Sequence, residues 1–183
     1  MALLKVAAMG HPILRKVAAP LTEEEIKSER IQRLLADMIE TMTEYDGQGL
    51  AAPQVHHSLQ IAVLLWNFDS NKKPYATYLI NPCLKPLTTE TASYWEGCLS
   101  LPGLRGKVSR PNRISIEALN QRAEKMSFIA EGFAATVIQH ECDHLLGKLY
   151  VDRMTDFTQF AFTREYQRYL VQPNEREARE GEG

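Results

Sequence analysis

Residues 139–144 have the sequence Gln139-His140-Glu141-Cys142-Asp143-His144 and lie inside a segment, 131–146, whose apolar residues recur with helical spacing. Gly147 follows it directly, where a glycine is suited to end a helix. Four residues advance a helix by about 6 Å and about 400°, which leaves the imidazoles of His140 and His144 about 40° apart. The spacing therefore predicts a helix that offers two histidines to one metal ion.

Glu141 lies about 100° around the predicted helix from His140, too far to be the natural third ligand of the same metal. Its carboxylate can instead reach a water on the metal. A cation lowers the pKa of such a water, and a carboxylate can carry its proton, so the pattern predicts metal-assisted hydrolysis. The alternative is a chance pattern on a surface helix. Apolar neighbours such as Val137 and Leu145 favour a metal site, because imidazoles beside a buried stripe need polar partners.

A catalytic metal needs a third protein ligand and one open position. The favoured candidate is Cys98, in Glu96-Gly97-Cys98-Leu99-Ser100, because a thiolate is a strong ligand for iron or zinc. Its alternative role is that of a small buried apolar residue. Glu165, on a predicted downstream helix, is the other candidate ligand, as in gluzincins. No histidine follows His144, which excludes the metzincin pattern.

Residues 47–54, Gly47-Gln48-Gly49-Leu50-Ala51-Ala52-Pro53-Gln54, form a third notable segment. They lack the lysine and the serine or threonine of a phosphate-binding loop. Their small side chains allow another backbone to approach closely, and Gln54 supplies an amide donor. Tight packing without catalysis is the alternative interpretation.

The rest of the chain predicts an α+β fold. A capping box of Thr22 and Glu25 begins a helix expected over 22–45, and a last helix is expected over 156–170. The last two of the expected strands are joined by a polar turn as an antiparallel hairpin. The expected strands are 60–66, 78–81, 113–119 and 125–130.

Length and composition favour one domain over 1–173, followed by a charged, disordered tail over 174–183. A net charge of −2 gives no electrostatic footprint for nucleic acid or a membrane surface, so we expect neither as a partner. Three cysteines cannot all pair with one another, which favours a reducing compartment. The first ten residues contain no signal-peptide core. Together these features predict a cytoplasmic protein.

The segments 47–54, 96–100 and 139–144 resemble, in this order, the three signature motifs of peptide deformylases. The resemblance extends to His11-Pro12-Ile13-Leu14 and Gly147-Lys148-Leu149 and covers residues 10 to about 155. It implies a single catalytic domain in which antiparallel sheets pack around the helix bearing the third motif, with an N-terminal and a C-terminal helix. The implied activity is hydrolytic removal of the N-formyl group from the initiator methionine of nascent polypeptides, with release of formate.

The resemblance also implies a set of site residues. Cys98, His140 and His144 would bind one Fe²⁺, with zinc, nickel or cobalt as substitutes. Glu141 would transfer protons, while the Gln54 side-chain amide and the Leu99 backbone N–H would stabilise the oxyanion. The implied partners are formyl-methionyl nascent peptides and the ribosome near its exit tunnel. The residues implied to bind substrate are Gly49, Tyr94, Arg105, Phe133 and Val137.

Some positions depart from the commoner family pattern or rest on weaker inference. Tyr94 stands at a position that is often aliphatic in the family, and Thr136 stands at one that is frequently isoleucine. These two differences affect the shape of the pocket but not the chemistry. Glu96 is expected to pair with Arg110. Two other functions stay open: a gluzincin-like peptidase using Glu165, and a catalytically silent metal-containing binding module. A structural metal site needs neither a carboxylate such as Glu141 nor an amide donor, which argues against the second.

Overall fold

The computed structural model describes residues 2–66 and 75–171. Its N-terminal helical region consists of two helices rather than one. The predicted capping box is present: the Thr22 N–H donates to the Glu25 carboxylate at 2.7 Å, and the Glu25 N–H to the Thr22 hydroxyl at 3.2 Å. It begins only the short helix α1 (Glu23–Lys27). Ser28 is extended and caps the longer helix α2 (Glu29–Glu44) with its hydroxyl. The prediction of one continuous helix over 22–45 is wrong, because Ser28 supplies a second N-cap.

Two antiparallel sheets form the rest of the framework. Their strands are β1 (Gly49–Ala51), β2 (Ile61–Trp66), β3 (Tyr75–Pro86), β4 (Thr91–Cys98), β5 (Leu101–Pro111), β6 (Arg113–Leu119), β7 (Lys125–Glu131) and β8 (Phe160–Phe162). The larger sheet has the strand order β1-β2-β3-β6-β7, and the smaller has the order β4-β5-β8. All four predicted strands are confirmed, the second as part of a longer strand.

The larger sheet is buried on both faces, which explains the uninterrupted apolar composition of β2. Ile61 and Val63 pack in one core cluster with residues of α2. Ala62 and Leu64, on the opposite face, pack in a second cluster with the helix α3 (Phe133–Leu145). The predicted helix around 139–144 is therefore confirmed, and it lies in the interior of the protein.

The sequence does not indicate the β4–β5 hairpin, because residues 94–109 mix glycine, proline and apolar residues without clear alternation. Its register shifts between Glu96 and Cys98, so the end of β4 is irregular. A third core cluster, which includes Leu101, Val108 and Tyr150, packs under this hairpin. The hairpin brings the end of β4 to the side of α3.

The C-terminal part of the described chain differs from the predicted helix over 156–170. Residues 160–162 form β8, which pairs with β5 through Leu104↔Phe162 and Gly106↔Phe160. Before β8, residues Phe157–Gln159 form a single 3₁₀ turn, and after it the short helix α4 (Thr163–Glu165) continues as a π-helical turn, Tyr166–Leu170. Pairing with the edge of β5 outweighs the helical preference of the segment. The predicted disordered tail, 174–183, lies outside the described residues, and no helix within 2–66 or 75–171 is long and apolar enough to cross a membrane.

Candidate metal centre and active site

The two histidines of α3 are buried side by side. His140 is 7% exposed and His144 1%, and their ring centroids lie 5.1 Å apart. The helix ends where expected, since Gly147 has a φ of +70°. A Cβ at Gly147 would lie 2.8 Å from the Arg15 carbonyl oxygen, so glycine is required there for packing as well as for conformation.

Cys98, at the end of β4, lies next to this histidine pair. Its Sγ is 3.4 Å from Nε2 of His144, and the possible donor atoms of Cys98, His140 and His144 all lie within 4.8 Å of one another. Tetrahedral coordination with metal–sulfur and metal–nitrogen bonds of about 2.3 and 2.1 Å would separate S and N by about 3.6 Å. The three side chains therefore fit a single ion. Glu165 is exposed and does not belong to this group.

A buried carboxylate orients the first histidine. Nδ1 of His140 lies 2.7 Å from Oε2 of Glu96. An Nδ1–H donated to this carboxylate leaves Nε2 as the ring nitrogen that can bind a metal. The expected pair of Glu96 with Arg110 is confirmed, because the guanidinium donates to both carboxylate oxygens, at 2.6 and 3.0 Å.

The same network continues outward from Arg110 to Asp143 and Arg153, two contacts that the sequence does not predict. Arg110, 4% exposed, also donates to Asp143 at 2.8 Å. Asp143 in turn accepts from the partly exposed Arg153 at 2.5 and 3.1 Å. The only indication of this network in the sequence was Asp143, an acidic residue next to His144, because its partners Arg110 and Arg153 lie outside that segment. Arginine on both sides outweighs the effect of burial and lowers the pKa of Asp143.

Burial and neighbouring charges affect the two histidines in opposite ways. Burial alone would lower the pKa of His140, but hydrogen bonds with Cys98 and Glu96 outweigh it and raise that pKa well above its usual value. Burial, together with the charges of His140 and Arg110, lowers the pKa of His144 well below its usual value. Nδ1 of His144 is buried and has no hydrogen-bond partner among the described residues. A neutral imidazole is the form that ligates metals.

Glu141 is buried against the backbone of β1. A Cβ at Gly49 would lie 2.5 Å from Oε1 of Glu141, so only glycine leaves room for this carboxylate. Burial raises the pKa of Glu141 to about 7, against the opposing effect of the His140 charge. Its Oε2 is buried and, within the described part of the chain, forms no hydrogen bond. The position thus provides a proton acceptor with a pKa near neutrality.

Gln54 reaches the same site from the turn after β1. Its Oε1 accepts from the Ala51 N–H at 2.8 Å, which orients the amide. Its Nε2 then donates to Sγ of Cys98 at 3.4 Å and to the Ser100 hydroxyl at 3.3 Å. Residues 47–54 therefore place an amide donor beside the thiol of Cys98.

The site opens into a cleft of about 1170 Å³. Tyr94 and Phe133 meet edge to face in it, with ring centroids 5.5 Å apart. Arg105 packs over Gly97, since a Cβ there would lie 2.0 Å from Nη1 of the guanidinium. Trp95 on β4 also lines the cleft, together with three residues whose positions depend on how the C-terminal segment folds and which the sequence therefore did not indicate: Tyr166, Tyr169 and Leu170. The implied site residues that line the cleft are Gly49, Gln54, Tyr94, Cys98, Leu99, Arg105, Phe133, Val137, His140 and Glu141.

A sulfur and two imidazoles that can share one ion, an open cleft and an adjacent carboxylate define the class of metal-dependent hydrolases. A family model, polypeptide deformylase, matches residues 3–160. The chain belongs to this family. The expected family, α+β fold and enzyme class are confirmed. The family is metal-dependent, and the group formed by Cys98, His140 and His144 could bind the metal.

Curated relatives and solved structures agree with this assignment. The chain is 39% identical over 170 residues to "Peptide deformylase" of Leptospira biflexa, covering 90% of this chain and 95% of the relative. It is 42% identical over 164 residues to "Peptide deformylase 2" of Pseudomonas putida, covering 86% and 91%. The actinonin-bound class I type b peptide deformylase of Acinetobacter baumannii superposes with a TM-score of 0.76 at 35% identity, covering 85% of this chain and all of that one. The Thermotoga maritima peptide deformylase structure superposes with a TM-score of 0.76 at 39% identity, again covering 85% of this chain and all of that one.

Proposed function

We propose that this chain uses Cys98, His140 and His144 to hold a divalent metal and removes the N-formyl group from the N-terminal methionine of nascent polypeptides, releasing formate. The observation that carries the proposal is the convergence of the Cys98 thiol with the two imidazoles beside Glu141. A relative supports the substrate class: the Acinetobacter baumannii enzyme, 35% identical, has been solved with Met-Ala-Ser bound.

Hydrolysis forms a bond between a water oxygen and the formyl carbon and breaks the bond from that carbon to the methionine nitrogen. Cys98, His140 and His144 would hold a divalent ion, which would supply Lewis acidity toward the formyl oxygen and a lower pKa for a nearby water. Glu141 takes the proton of that water and gives it to the departing amine. Its Oε2, buried and without a hydrogen-bond partner among residues 2–66 and 75–171, and its pKa of about 7 suit both transfers.

The negative charge that develops on the formyl oxygen needs fixed donors. Gln54 supplies one, because its Oε1 is held by the Ala51 N–H and its NH₂ group lies at Cys98. The backbone N–H of Leu99, the residue directly after Cys98, is the second proposed donor. Gln54 is buried and already oriented by the Ala51 N–H, so its amide needs little reorganisation during the reaction.

The methionine side chain is proposed to bind between Tyr94, Phe133 and Val137. The edge-to-face ring pair and the half-buried position of Tyr94 make this part of the cleft apolar. The substrate backbone would run along Gly49 as an added strand, since β1 is an edge strand of the larger sheet. Arg105 would contact the substrate backbone from the opposite side.

We also propose Fe²⁺ as the native ion. The family resemblance supports iron, and a thiolate with two imidazoles is also compatible with zinc, nickel and cobalt. Aerobic and anaerobic incubation of the iron-loaded and nickel-loaded protein tests this proposal. Activity with iron should decay in air and persist under argon, whereas activity with nickel should persist in both. Indefinite air stability of the iron-loaded protein would contradict it.

Substrates of this kind are nascent chains, so we propose a cytoplasmic protein that meets them at the ribosome near the exit tunnel. The free thiol of Cys98 also suits a reducing compartment. Co-sedimentation with ribosomes that carry a formylated nascent chain tests the encounter. Recovery of the chain only in the supernatant would contradict it.

The direct test of the function is formate release from formyl-Met-Ala by the metal-loaded chain, with acetyl-Met-Ala as the control substrate. Turnover of the formyl peptide alone is the expected result. A catalytically silent binding module would bind the metal but release no formate. The peptidase alternative with Glu165 as ligand requires Glu165→Ala to lose the metal, whereas we expect that variant to retain it, since Glu165 is exposed.

A further inference from the structure

One wall of the cleft comes from the C-terminal end of the described chain. We call residues 163–170 the C-terminal wall. Four of its residues line the same cavity as Cys98 and His140: Thr163, Tyr166, Tyr169 and Leu170. The family model matches residues 3–160, and the wall follows this range.

The C-terminal wall is anchored to the small sheet. β8, which leads into it, is hydrogen-bonded to β5 with Ala161 opposite Arg105. Tyr166 is 6% exposed, and its ring centroid lies 4.8 Å from that of Trp95 on β4. The wall is therefore fixed to β4, which carries Tyr94, and to β5, which carries Arg105.

Two apolar side chains of the wall remain open toward solvent. Tyr169 is 65% exposed and Leu170 40%. The guanidinium of Arg168 lies 5.2 Å from the Tyr169 ring centroid, within the range of a cation–π contact. An aromatic ring with most of its surface uncovered, at the edge of a cleft, is suited to cover an apolar group of a ligand.

The size of the cleft leaves room for such a group. Its 1170 Å³ exceeds the roughly 300–1,000 Å³ typical of small-ligand sites. The formyl group occupies the metal end and the methionine side chain the pocket of Tyr94, Phe133 and Val137. Each further residue of an extended peptide advances by about 3.3 Å, so the peptide must leave the metal end along the remaining walls.

We propose that the C-terminal wall, through Tyr169 and Leu170, binds the substrate residues beyond the second and favours apolar side chains there. The proposal rests on the proposed deformylase function. It makes residues 163–170 a determinant of substrate preference rather than part of the chemistry. The wall acts by covering apolar surface of the longer substrate, so its effect depends on peptide length and composition.

Three formyl peptides test the proposal with the metal-loaded full chain: formyl-Met-Ala, formyl-Met-Ala-Leu-Phe and formyl-Met-Ala-Ser-Ser. The wild type should have its highest kcat/KM on the Leu-Phe peptide. Tyr169→Ala should lower the ratio of kcat/KM for Leu-Phe over Ser-Ser by about 5-fold to 10-fold, mainly through KM. Leu170→Ala should lower it less, and Tyr169→Phe should retain it.

Phe162→Ala is the matched control, because Phe162 is a 69% exposed aromatic residue of the same region that does not line the cleft. It should keep the wild-type ratio. Equal ratios in wild type, Tyr169→Ala and Phe162→Ala would overturn the proposal while leaving the deformylase function intact. Absence of formate release from all three peptides by the wild type would instead overturn the proposed function, and the role of the wall with it.

Discussion

Gly49 and Glu141 are in direct contact: a Cβ added to Gly49 would lie 2.5 Å from Oε1 and 2.6 Å from Cγ of Glu141. Real side chains do not tolerate such distances, and the Gly49 backbone is held in β1 opposite Leu64. The carboxylate would have to move. The position of the proposed proton carrier is therefore set by the absence of a side chain on a neighbouring strand.

Gly49→Ala should reduce kcat by about 100-fold or more, because a displacement of the order of 1 Å at a reacting group can cost that much. Metal content should stay at the wild-type level, since Cys98, His140 and His144 are untouched. Steady-state formate release and metal analysis together measure both effects. Gly47→Ala is the control, because a Cβ there would meet its nearest atoms at 3.3–3.4 Å. Equal kcat values in the two variants would contradict this role of Gly49.

Glu141→Gln keeps the volume of the side chain but removes the proton acceptor. General acid–base catalysis contributes about 10²–10⁴-fold, and kcat should fall by this amount at equal metal content. The side-chain amide introduced at position 141 should take the place of the carboxylate, because Gly49 leaves the same space for it. Wild-type turnover in a fully metal-loaded Glu141→Gln protein would show that the proton is carried by another group.

Glu96→Gln should weaken metal binding without removing a ligand. Glu96 holds Nδ1 of His140 at 2.7 Å, and loss of such a support typically costs about 10-fold to 100-fold in metal affinity. Competition with a chelator of known affinity measures the change. Glu117→Gln, at an exposed position on β6, should leave metal affinity unchanged. An unchanged affinity in Glu96→Gln would mean that packing alone orients His140.

Arg110→Met should destabilise the protein by about 3–5 kcal/mol, because it leaves the carboxylates of Glu96 and Asp143 buried without their shared cation. Denaturant unfolding of the metal-free proteins measures the difference. Arg33→Met is the control, since Arg33 pairs with Glu29 on an exposed face of α2 and should contribute less than about 1 kcal/mol.

The same network gives a pH dependence of known sign. Hydrogen bonds with His140 and Arg110 outweigh burial and lower the pKa of Glu96, and Arg153 and Arg110 do the same for Asp143. The resulting stability is fully present above the unfolded pKa values of about 4 and is lost as the pH falls through the lower folded values. Wild type should lose stability more steeply below about pH 4 than Arg110→Met. Parallel curves would contradict the network as the source.

Local spacing predicted those parts of the site that depend on one element. The pairing of His140 with His144 depends only on helical spacing, and the end of the helix at Gly147 depends only on the positive φ that glycine adopts easily. Cys98 as a ligand could be proposed from its residue type and motif, but its distance to His144 depends on the β4–β5 hairpin. That hairpin lacks the clear alternation of a strand pair, because the register shift next to Cys98 interrupts it.

Long-range contacts account for what sequence reasoning missed. Arg110 and Asp143 are 33 residues apart, and nothing in either local segment indicates the pair. The predicted helix over 156–170 failed because the edge of β5 captures residues 160–162 as a strand. As a result, Tyr169 and Leu170 reach a cleft formed by residues far earlier in the chain.

X-ray absorption spectroscopy of the cobalt-loaded protein tests most directly whether Cys98, His140 and His144 share one metal. We expect one sulfur at about 2.3 Å, two imidazole nitrogens at about 2.1 Å and one further light-atom ligand. Cys98→Ser should lose the sulfur contribution, whereas Cys142→Ser should keep it. A wild-type spectrum with no sulfur neighbour, or with four protein ligands, would contradict the metal centre on which the proposed chemistry depends.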